Sequence, residues 1–329
     1  MGTGHSRRSF ISLLGAFGSA LPLRAMSQHG LVGVRRIGFL PGSLASLRTA
    51  FEDELQRLGY VNGGNLVIET RVARPNTSDL SAYAAELAHM DLELITVASL
   101  PVALEVRKAN PAMQMVIATC PGMISNGFAS SLEHPGGNST GIEELPPGVT
   151  VKRLSLLKTA APNVSRVALL STTPGRGGHE TQLADAEQAA AALRVRVKVY
   201  RVTSLSELQP ALVALMEDQM NGLLSFQGAL SLLNRRLIVD FAAKHELPAI
   251  YQATLFAESG GLMAWAPDLE EQFRIAARYV DQILRGAKPG DLPIRYPPRY
   301  YLTLNGATAK ALGLTFPPVL LAQADRVLS

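Results

Sequence analysis

The stretch that decides the fold of this chain is Arg36-Ile37-Gly38-Phe39-Leu40-Pro41-Gly42-Ser43-Leu44-Ala45-Ser46. An apolar run ends there in a turn of small residues, and a helical pattern of apolar residues follows from Leu47 to Leu58. A short apolar run bounded by Gly and Pro predicts a buried strand, and the periodic residues behind it predict a helix. Together they predict the first strand, loop and helix of an α/β domain, in which ligands bind at the carboxyl ends of parallel strands.

The same alternation continues through the first half of the chain. Further strands are predicted at residues 65–72, 92–98 and 113–119, and helices at residues 78–89 and 101–110. Strands that alternate with helices in this way indicate a parallel sheet with right-handed crossovers. Pro146-Pro147-Gly148 then breaks the pattern within a boundary region at residues 144–148.

The pattern restarts after this break. The second half is predicted to hold helices at 151–160, 179–193, 204–217 and from Gly228 to about Lys244, and strands at 165–170, 195–202, 221–226, 248–251 and 261–265. A long amphipathic helix is predicted at 269–284, followed by a strand near 299–304 and helices at 307–312 and after Pro318. Two successive α/β units predict two doubly wound parallel-sheet lobes with a hinge and a cleft between them.

Length and composition fit two such domains. A chain of 329 residues is long for one core, and 47% hydrophobic with 18% charged residues suits buried parallel sheets. The formal charge of +4 falls to +1 without residues 1–27, which hold three arginines and no acidic residue. The sequence contains no Lys/Arg block with interleaved aromatic residues, so nucleic acid is not an expected partner.

Residues 1–27 predict a twin-arginine-type signal peptide. Arg7 and Arg8 are followed by an apolar stretch over residues 11–23 and by Ala25-Met26-Ser27, whose small residues suit a cleavage site before Gln28. The apolar stretch is shorter than the roughly 20 residues that a membrane span needs, which disfavours the alternative of an N-terminal anchor. We therefore expect the mature chain to be soluble in the periplasm.

A search for catalytic motifs finds no basis for an enzyme. The sequence contains no G-x-S-x-G elbow, H-E-x-x-H pair or G-x-x-x-x-G-K-[ST] loop, and its six histidines are scattered. Cys120 is the only cysteine, which rules out an intramolecular disulfide and a cysteine-cluster metal site. A catalytic thiol needs a base and no histidine can be assigned to it, so a structural or cleft-lining role is favoured. No cofactor is expected.

Polar residues that follow the predicted strands are the candidate ligand-binding groups. Ser43, Ser99, Thr172 and Gln227 each stand at a strand end, where short polar side chains can face a cleft. The loop Thr172-Thr173-Pro174-Gly175-Arg176-Gly177-Gly178 is the best candidate for binding an anion, because glycines let backbone N–H groups approach a ligand at a helix start. A plain surface loop is the alternative. Tyr251 and Trp265 also end strands, and either stack on a ligand or pack at the sheet edge.

Several segments along the whole chain resemble one known family. They are Arg8-Ser9-Phe10-Ile11, Ile37-Gly38-Phe39-Leu40, Leu58-Gly59-Tyr60-Val61, His134-Pro135-Gly136-Gly137-Asn138, Gly260-Gly261-Leu262-Met263 and Gly313-Leu314-Thr315-Phe316-Pro317-Pro318. Their joint pattern, in this order, resembles the ABC transporter substrate-binding protein family that is related to tryptophan- and other amino-acid-binding proteins. The resemblance implies a type I periplasmic-binding-protein fold and delivery of a ligand to an ABC permease in the inner membrane. It also implies a monomer.

The resemblance also implies which strand-end loops form the ligand pocket. Carried over by position, the pocket residues are Ser43, Leu44, Ser99, Leu100, Cys120, Pro121, Thr172, Thr173, Gln227 and Tyr251. The sequence departs from the family at the pocket itself, since Cys120-Pro121-Gly122 stands where relatives often have Gly-Asp-Pro, and Ser171-Thr172-Thr173 where many have Asn-Pro-Asn. The ligand identity therefore does not follow from the resemblance, although the fold does.

These observations predict an extracytoplasmic solute-binding protein of an ABC importer. Its N-terminal lobe is expected to comprise residues 33–147 plus about 268–296, and its C-terminal lobe residues 148–267 plus about 297–329. Hinge closure would hold a small amino-acid-like or carboxylate-bearing ligand between the lobes. Two alternatives stay open at this point: an exported α/β enzyme that acts on a sugar or nucleotide phosphate, and a ligand sensor for a membrane receptor.

Overall fold

The structure is a computed structural model, and it describes residues 33–42, 44–72, 79–172, 179–226 and 228–329. The predicted signal peptide at residues 1–27 lies outside the described residues. Two sheets organise the rest of the chain. In the part of the chain that the structure describes, no helix is long and apolar enough to cross a membrane.

The first sheet has the strand order β2-β1-β3-β4-β5, and all of its strand pairs are parallel. Its strands are β1 (Arg35–Leu40), β2 (Leu66–Thr70), β3 (Leu94–Val97), β4 (Met115–Cys120) and β5 (Ser139–Glu143). Ile37 on the central strand pairs with Ile68 on one side and with Leu94 on the other. Strands buried on both faces read as continuous apolar runs, which is why most of this sheet is predictable from the sequence.

The second sheet has the order β12-β11-β10-β9-β8-β6-β7. Its strands are β6 (Arg166–Ser171), β7 (Arg196–Arg201), β8 (Gly222–Ser225), β9 (Ala249–Tyr251), β10 (Met263–Pro267), β11 (Tyr300–Asn305) and β12 (Arg326–Leu328). All pairs are parallel except β10 with β11, which is antiparallel. The two mainly parallel α/β sheets confirm the predicted fold class.

Helices pack on both sheets. They are α1 (Arg48–Arg57), α2 (Asp79–Ala88), α3 (Leu100–Ala109), α4 (Val149–Ala160), α5 (His179–Leu193), α6 (Leu205–Glu217), α7 (Ala229–Leu233), α8 (Arg235–Lys244), α9 (Thr254–Glu258), α10 (Leu269–Leu284), α11 (Gly306–Ala311) and α12 (Pro318–Leu321). Short 3-10 turns occur at Ala45–Leu47 and Pro289–Asp291. The predicted long helix at 269–284 is confirmed. The single helix predicted up to Lys244 is wrong, because the chain turns at Asn234, whose side-chain amide donates to the Leu230 carbonyl at 2.9 Å.

Strand β5 is not predicted from the sequence. Its five residues are all buried, although they include Gly141 and Glu143 and therefore lack a continuous apolar run. Gly141 is needed because its φ is +147° and a Cβ there would lie 2.0 Å from the Ile117 carbonyl oxygen on β4. Close backbone approach and a glycine conformation, rather than hydrophobic side chains, define this edge of the sheet.

Helix α10 follows the second sheet in the chain but packs against α1, β4 and β5 of the first. Its N-terminus is capped by Asp268, whose carboxylate accepts from the Glu271 backbone N–H at 3.2 Å. The Arg278 guanidinium donates to Glu54 on α1 at 2.9 Å, and the side chain of Glu54 is 8% exposed. The first sheet with α1, α2, α3 and α10 is called the first lobe below, and the second sheet with its helices the second lobe.

The chain passes between the lobes at three places. These lie between β5 and α4, between β10 and α10, and between Arg295, which bridges to Ile142, and β11. The Tyr300 hydroxyl at the third passage donates to the backbone carbonyl of Glu144 at the first. The Tyr300 ring also lies against Trp265, with ring centroids 4.7 Å apart, so Tyr300 links residues beside all three passages.

Candidate functional site

A cavity of about 390 Å³ lies where the carboxyl ends of strands from both lobes face each other. This cleft cavity is lined from the first lobe by Leu44, Ser99, Leu100, Pro101, Thr119, Pro121 and Glu144, and from the second by Thr172, Thr203, Ser204 and Gly228. Each of these residues lies at the carboxyl end of a strand or shortly behind it. Parallel strands place their carboxyl ends along one edge of a sheet, and two such edges are opposed here.

Two helices begin at the cleft cavity. Helix α3 starts at Leu100 behind Ser99, and α6 starts at Leu205 behind Ser204. Among the described residues, neither serine side chain accepts a capping hydrogen bond from a backbone N–H group of the helix that it precedes. The first N–H groups of a helix have no partner within it and carry partial positive charge, so each of these helix starts favours a carboxylate or another anion.

Most of the remaining wall is apolar. Leu44 and Leu80 contribute from the first lobe, and Leu230, Leu232 and Leu233 from α7 of the second. A pocket with a mainly apolar wall and a few convergent polar groups suits a small molecule that has an apolar body and a polar end.

Glu144 is the one ionisable side chain among the described residues that line the cavity. It is 1% exposed, and within the described part of the chain neither of its carboxylate oxygens has a hydrogen-bond partner of ordinary geometry. Burial raises the pKa of Glu144 to about 7, against the lowering effects of the nearby Arg153 guanidinium and Thr119 hydroxyl. Near neutral pH both the protonated and the ionised form of this carboxyl group are therefore populated.

Thr172 is a second buried polar group at the cavity. It follows β6, it is 2% exposed, and its Oγ1 atom finds no partner among the residues that are described. Buried polar atoms in native structures nearly always have a partner from the protein, water or a ligand. The unpaired groups of Glu144 and Thr172 therefore point to a polar occupant of the cavity.

Comparison with known proteins identifies the family of the chain. The family model described as "ABC transporter substrate binding protein" matches residues 40–328. The chain belongs to that family. The cavity between the strand ends lies within the part of the chain that this match covers.

The chain is also similar to individual known proteins, and the solved structures among them support the fold. A tyrosine-binding protein of Clostridioides difficile is 22% identical over 273 residues, which are 83% of this chain and 78% of the relative. An ABC domain of Streptococcus pneumoniae in complex with L-Trp has a TM-score of 0.83 at 22% identity, over 90% of this chain and 100% of that one. A ligand-free, open substrate-binding protein with adhesive properties from Clostridium difficile has a TM-score of 0.66 at 22% identity, over 90% and 100% of the two chains.

Five of the pocket residues predicted from the family resemblance line the cleft cavity. They are Leu44, Ser99, Leu100, Pro121 and Thr172. Ser43, Thr173 and Gln227 lie outside the described residues, as does the proposed anion-binding loop from Thr173 to Gly178. The ligand contacts of all these residues stay predictions.

Tyr251 and Cys120 do not line the cleft cavity. The Tyr251 ring stacks on Phe256, with centroids 4.7 Å apart, inside the second lobe. Its hydroxyl is without a partner in the described ranges, and burial raises its pKa. Cys120 is 0% exposed and belongs to the hydrophobic core of the first lobe. Trp265, the other aromatic candidate, contacts Tyr300 rather than the cavity.

We expect the Cys120 thiol of the folded protein to be unreactive. Burial raises the pKa of the thiol, so neither a thiolate nor access for a reagent is available. Labelling by iodoacetamide should be at least about 100-fold slower in buffer than in urea, because it requires local opening of the fold. Mass spectrometry of the intact chain measures this directly, since the sequence has no other cysteine. Comparable rates in buffer and in urea would contradict the buried position.

Sequence reasoning misses Glu144, Thr119, Thr203 and Ser204 as cavity residues. It places Glu144 in the boundary between the domains, because the strand before it has no continuous apolar run. The usable signal is an acidic side chain directly behind the segment Ser139-Thr140-Gly141-Ile142-Glu143. Thr203 and Ser204 follow a predicted strand, so the rule that selects Ser99 would also select them.

Proposed function

We propose that this chain is the extracytoplasmic solute-binding protein of an ABC importer and binds an amino-acid-like or carboxylate-bearing molecule in the cleft cavity. The observation that carries the proposal is the cavity of about 390 Å³, to which strand ends of both lobes contribute. A ligand held there contacts both lobes at once. Its binding energy is then available to stabilise a closed arrangement of the lobes.

The chemistry of the cavity favours an apolar amino acid. The starts of α3 and α6 with Ser99 and Ser204 suit a carboxylate, and the leucines of α7 suit an apolar side chain. The relatives that carry ligand names point in the same direction, since one is a tyrosine-binding protein and another was solved with L-Trp. The pocket sequence differs from the family, so the particular amino acid is left to experiment.

The proposed mechanism is hinge closure about the three interlobe passages. The moving bodies would be residues 33–147 with 268–296, and residues 148–267 with 297–329. A few residues at the ends of elements absorb the backbone changes in such hinges. The closed, loaded form would then deliver its ligand to a membrane permease, after export through the twin-arginine route that residues 1–27 predict. No catalytic step is part of the proposal.

A ligand panel tests this function. The protein purified after expression of the full chain is unfolded thermally in the presence of amino acids, small carboxylates, sugars and purines. A bound ligand at 100 times its dissociation constant adds about 2.7 kcal/mol to the free energy of unfolding, which raises the melting temperature clearly. We expect apolar amino acids to give the shift and mass spectrometry to recover them unchanged. Conversion of the ligand, or a shift with sugars or purines alone, would contradict the proposal.

A further inference from the structure

We infer that the Glu144 carboxylate binds a cationic amino group of the ligand, so that the cleft cavity selects ammonium-bearing apolar molecules over carboxylates that lack nitrogen. The inference rests on the proposed function, because it concerns the ligand of the same cavity. It narrows the substrate class from carboxylate-bearing molecules in general to those with a protonated amine.

The contrast between two adjacent carboxylates carries the inference. Glu143 accepts hydrogen bonds from the backbone N–H groups of Gly122 and Met123, both at 2.8 Å. Glu144, the next residue, lines the cleft cavity and is 1% exposed, and among the described residues both of its carboxylate oxygens are left without a partner. The chain thus satisfies one buried carboxylate with its own backbone, and among the described residues it leaves the other, in the wall of the cavity, without a hydrogen-bond partner. A buried carboxylate without a partner is costly unless a bound group supplies one.

The groups around Glu144 do not supply the missing partner. Arg153 on α4 is not among the residues that line the cavity, and its Nε donates to the Trp265 carbonyl at 3.1 Å. Its Nη1 also has no hydrogen-bond partner among the described residues, so Arg153 favours the ionised form of Glu144 without a hydrogen bond from Nη1 to the carboxylate. The Thr119 hydroxyl is near enough to favour the ionised form, but it makes no hydrogen bond of ordinary geometry to either oxygen. The Tyr300 hydroxyl donates to the backbone carbonyl of Glu144 and so is not available to its carboxylate. The other ionisable neighbours are Glu143, which is itself acidic, and the buried Cys120 thiol, and neither can neutralise a carboxylate.

The charge of the cavity decides which group can bind there. The other described lining residues are hydroxyl-bearing or apolar, so Glu144 provides the only ionisable side chain among them. A ligand carboxylate beside Glu144 would bring two negative charges together in a buried site, whereas an ammonium group would favour the ionised carboxylate. Charge-assisted hydrogen bonds from an ammonium group are also among the strongest available to a carboxylate.

Matched pairs of ligands test the inference. The pairs are L-tryptophan with indole-3-propionate, L-tyrosine with 3-(4-hydroxyphenyl)propionate, and L-leucine with 4-methylpentanoate, and each pair differs by the amino group. Isothermal titration calorimetry, with the protein purified after expression of the full chain, measures the affinity for both members of each pair. In the pair whose amino acid binds, we expect that amino acid to bind at least about 100-fold more tightly than the analogue that lacks the amino group. Glu144→Gln should lower the affinity for the amino acid about 10- to 100-fold. The affinity for the deaminated partner should stay the same or rise, because the variant removes a negative charge from the cavity wall.

Glu86→Gln is the control variant. It neutralises an exposed carboxylate of α2 that does not line the cleft cavity, so the affinity for the amino acid should stay within about twofold. Circular dichroism checks that both variants are folded. Glu144→Asp is a further check: it keeps the charge and should preserve the preference for the amino acid within its pair, even if a shorter side chain lowers the affinity.

The pH dependence of binding distinguishes direct contact from a structural role. Because burial raises the pKa of Glu144 to about 7, the affinity for the amino acid should fall about 30-fold between pH 8.5 and 5.5, while Glu144→Gln should give a flat profile over that range. The ligand's own carboxyl and amino groups do not titrate in this interval.

The outcomes separate the inference from the proposed function. Equal affinities within a pair, or a Glu144→Gln variant that binds the amino acid as wild type does, would overturn the inference and leave a carboxylate-binding protein. If every member of the three pairs fails to bind while a sugar or a purine does, the proposed function and the inference fall together.

Discussion

Replacement of Gly141 by Ala is expected to destabilise the protein by about 4 kcal/mol or more. Gly141 lies in the middle of β5, and its φ of +147° belongs to a region that side-chain-bearing residues rarely adopt. An added Cβ would lie 2.0 Å from the carbonyl oxygen of Ile117 and 2.8 Å from its carbonyl carbon and its nitrogen. These are backbone atoms of β4, so no side-chain rotation can relieve the overlap.

The only relief is to move β5 away from β4, which breaks their parallel pairing from Ser139 to Glu143. That movement would also displace Glu144 and the first passage between the lobes. We therefore expect ligand binding to be lost together with stability. Urea unfolding followed by circular dichroism measures the loss, and accumulation of the variant as insoluble protein would be the extreme form of the same result.

Gly59→Ala is the matched control for this prediction. Gly59 also has a positive φ, of +96°, but apart from its chain neighbours no atom of the described residues lies within 4 Å of the position of its Cβ. It should cost about 1 kcal/mol, which is the strain of the left-handed conformation alone. If Gly141→Ala were no more destabilising than Gly59→Ala, the close approach of β4 and β5 would be refuted.

The second large effect is the pH dependence of stability that Glu144 introduces. The pKa of Glu144 is about 7 in the folded protein, against a reference value of 4.5 for the unfolded chain. Between these values the folded state holds the proton more tightly than the unfolded state. The contribution of Glu144 to the free energy of unfolding is therefore complete below pH 4.5 and is lost as the pH rises through 7.

The size of this effect follows from the shift. In the absence of ligand, the free energy of unfolding of wild type minus that of Glu144→Gln should fall by about 2 to 3 kcal/mol between pH 5 and pH 7.5. Chemical unfolding of both proteins at several pH values measures this change. The other titrating groups contribute equally to both proteins, so their contributions cancel in the difference. Parallel stability curves for the two proteins would mean that Glu144 titrates outside this interval.

Glu86→Gln is the control for the pH experiment. Glu86 is on the surface, and its hydrogen bond with Arg71 lowers its pKa, so it is ionised throughout the interval. The difference between wild type and this variant should not change between pH 5 and pH 7.5. A sloping difference would indicate that surface carboxylates also contribute to the pH dependence.

Two predicted pocket residues lie away from the cavity, and the alternation of side chains along a strand explains one of them, Cys120. Thr119, Cys120 and Pro121 are consecutive, and the first and third line the cavity while Cys120 lies in the core of the first lobe. Successive side chains of a strand point to opposite sides, so a strand end alone does not say which residue faces the cleft. For Tyr251, the ring of Phe256 in α9, a helix that the sequence pattern does not predict, supplies the competing contact.

The two α/β lobes, most of their strands, the long helix α10 and the family could all be predicted from the sequence alone. These follow from local patterns, since buried parallel strands are continuous apolar runs and an amphipathic helix repeats every 3.6 residues. Only the tertiary structure decided the place of β5 and the role of Glu144. Strand β5 is defined by backbone approach to β4, and Glu144 becomes a cavity residue because three distant passages of the chain meet beside it. Contacts between segments so far apart in the sequence leave no periodic signal within either segment.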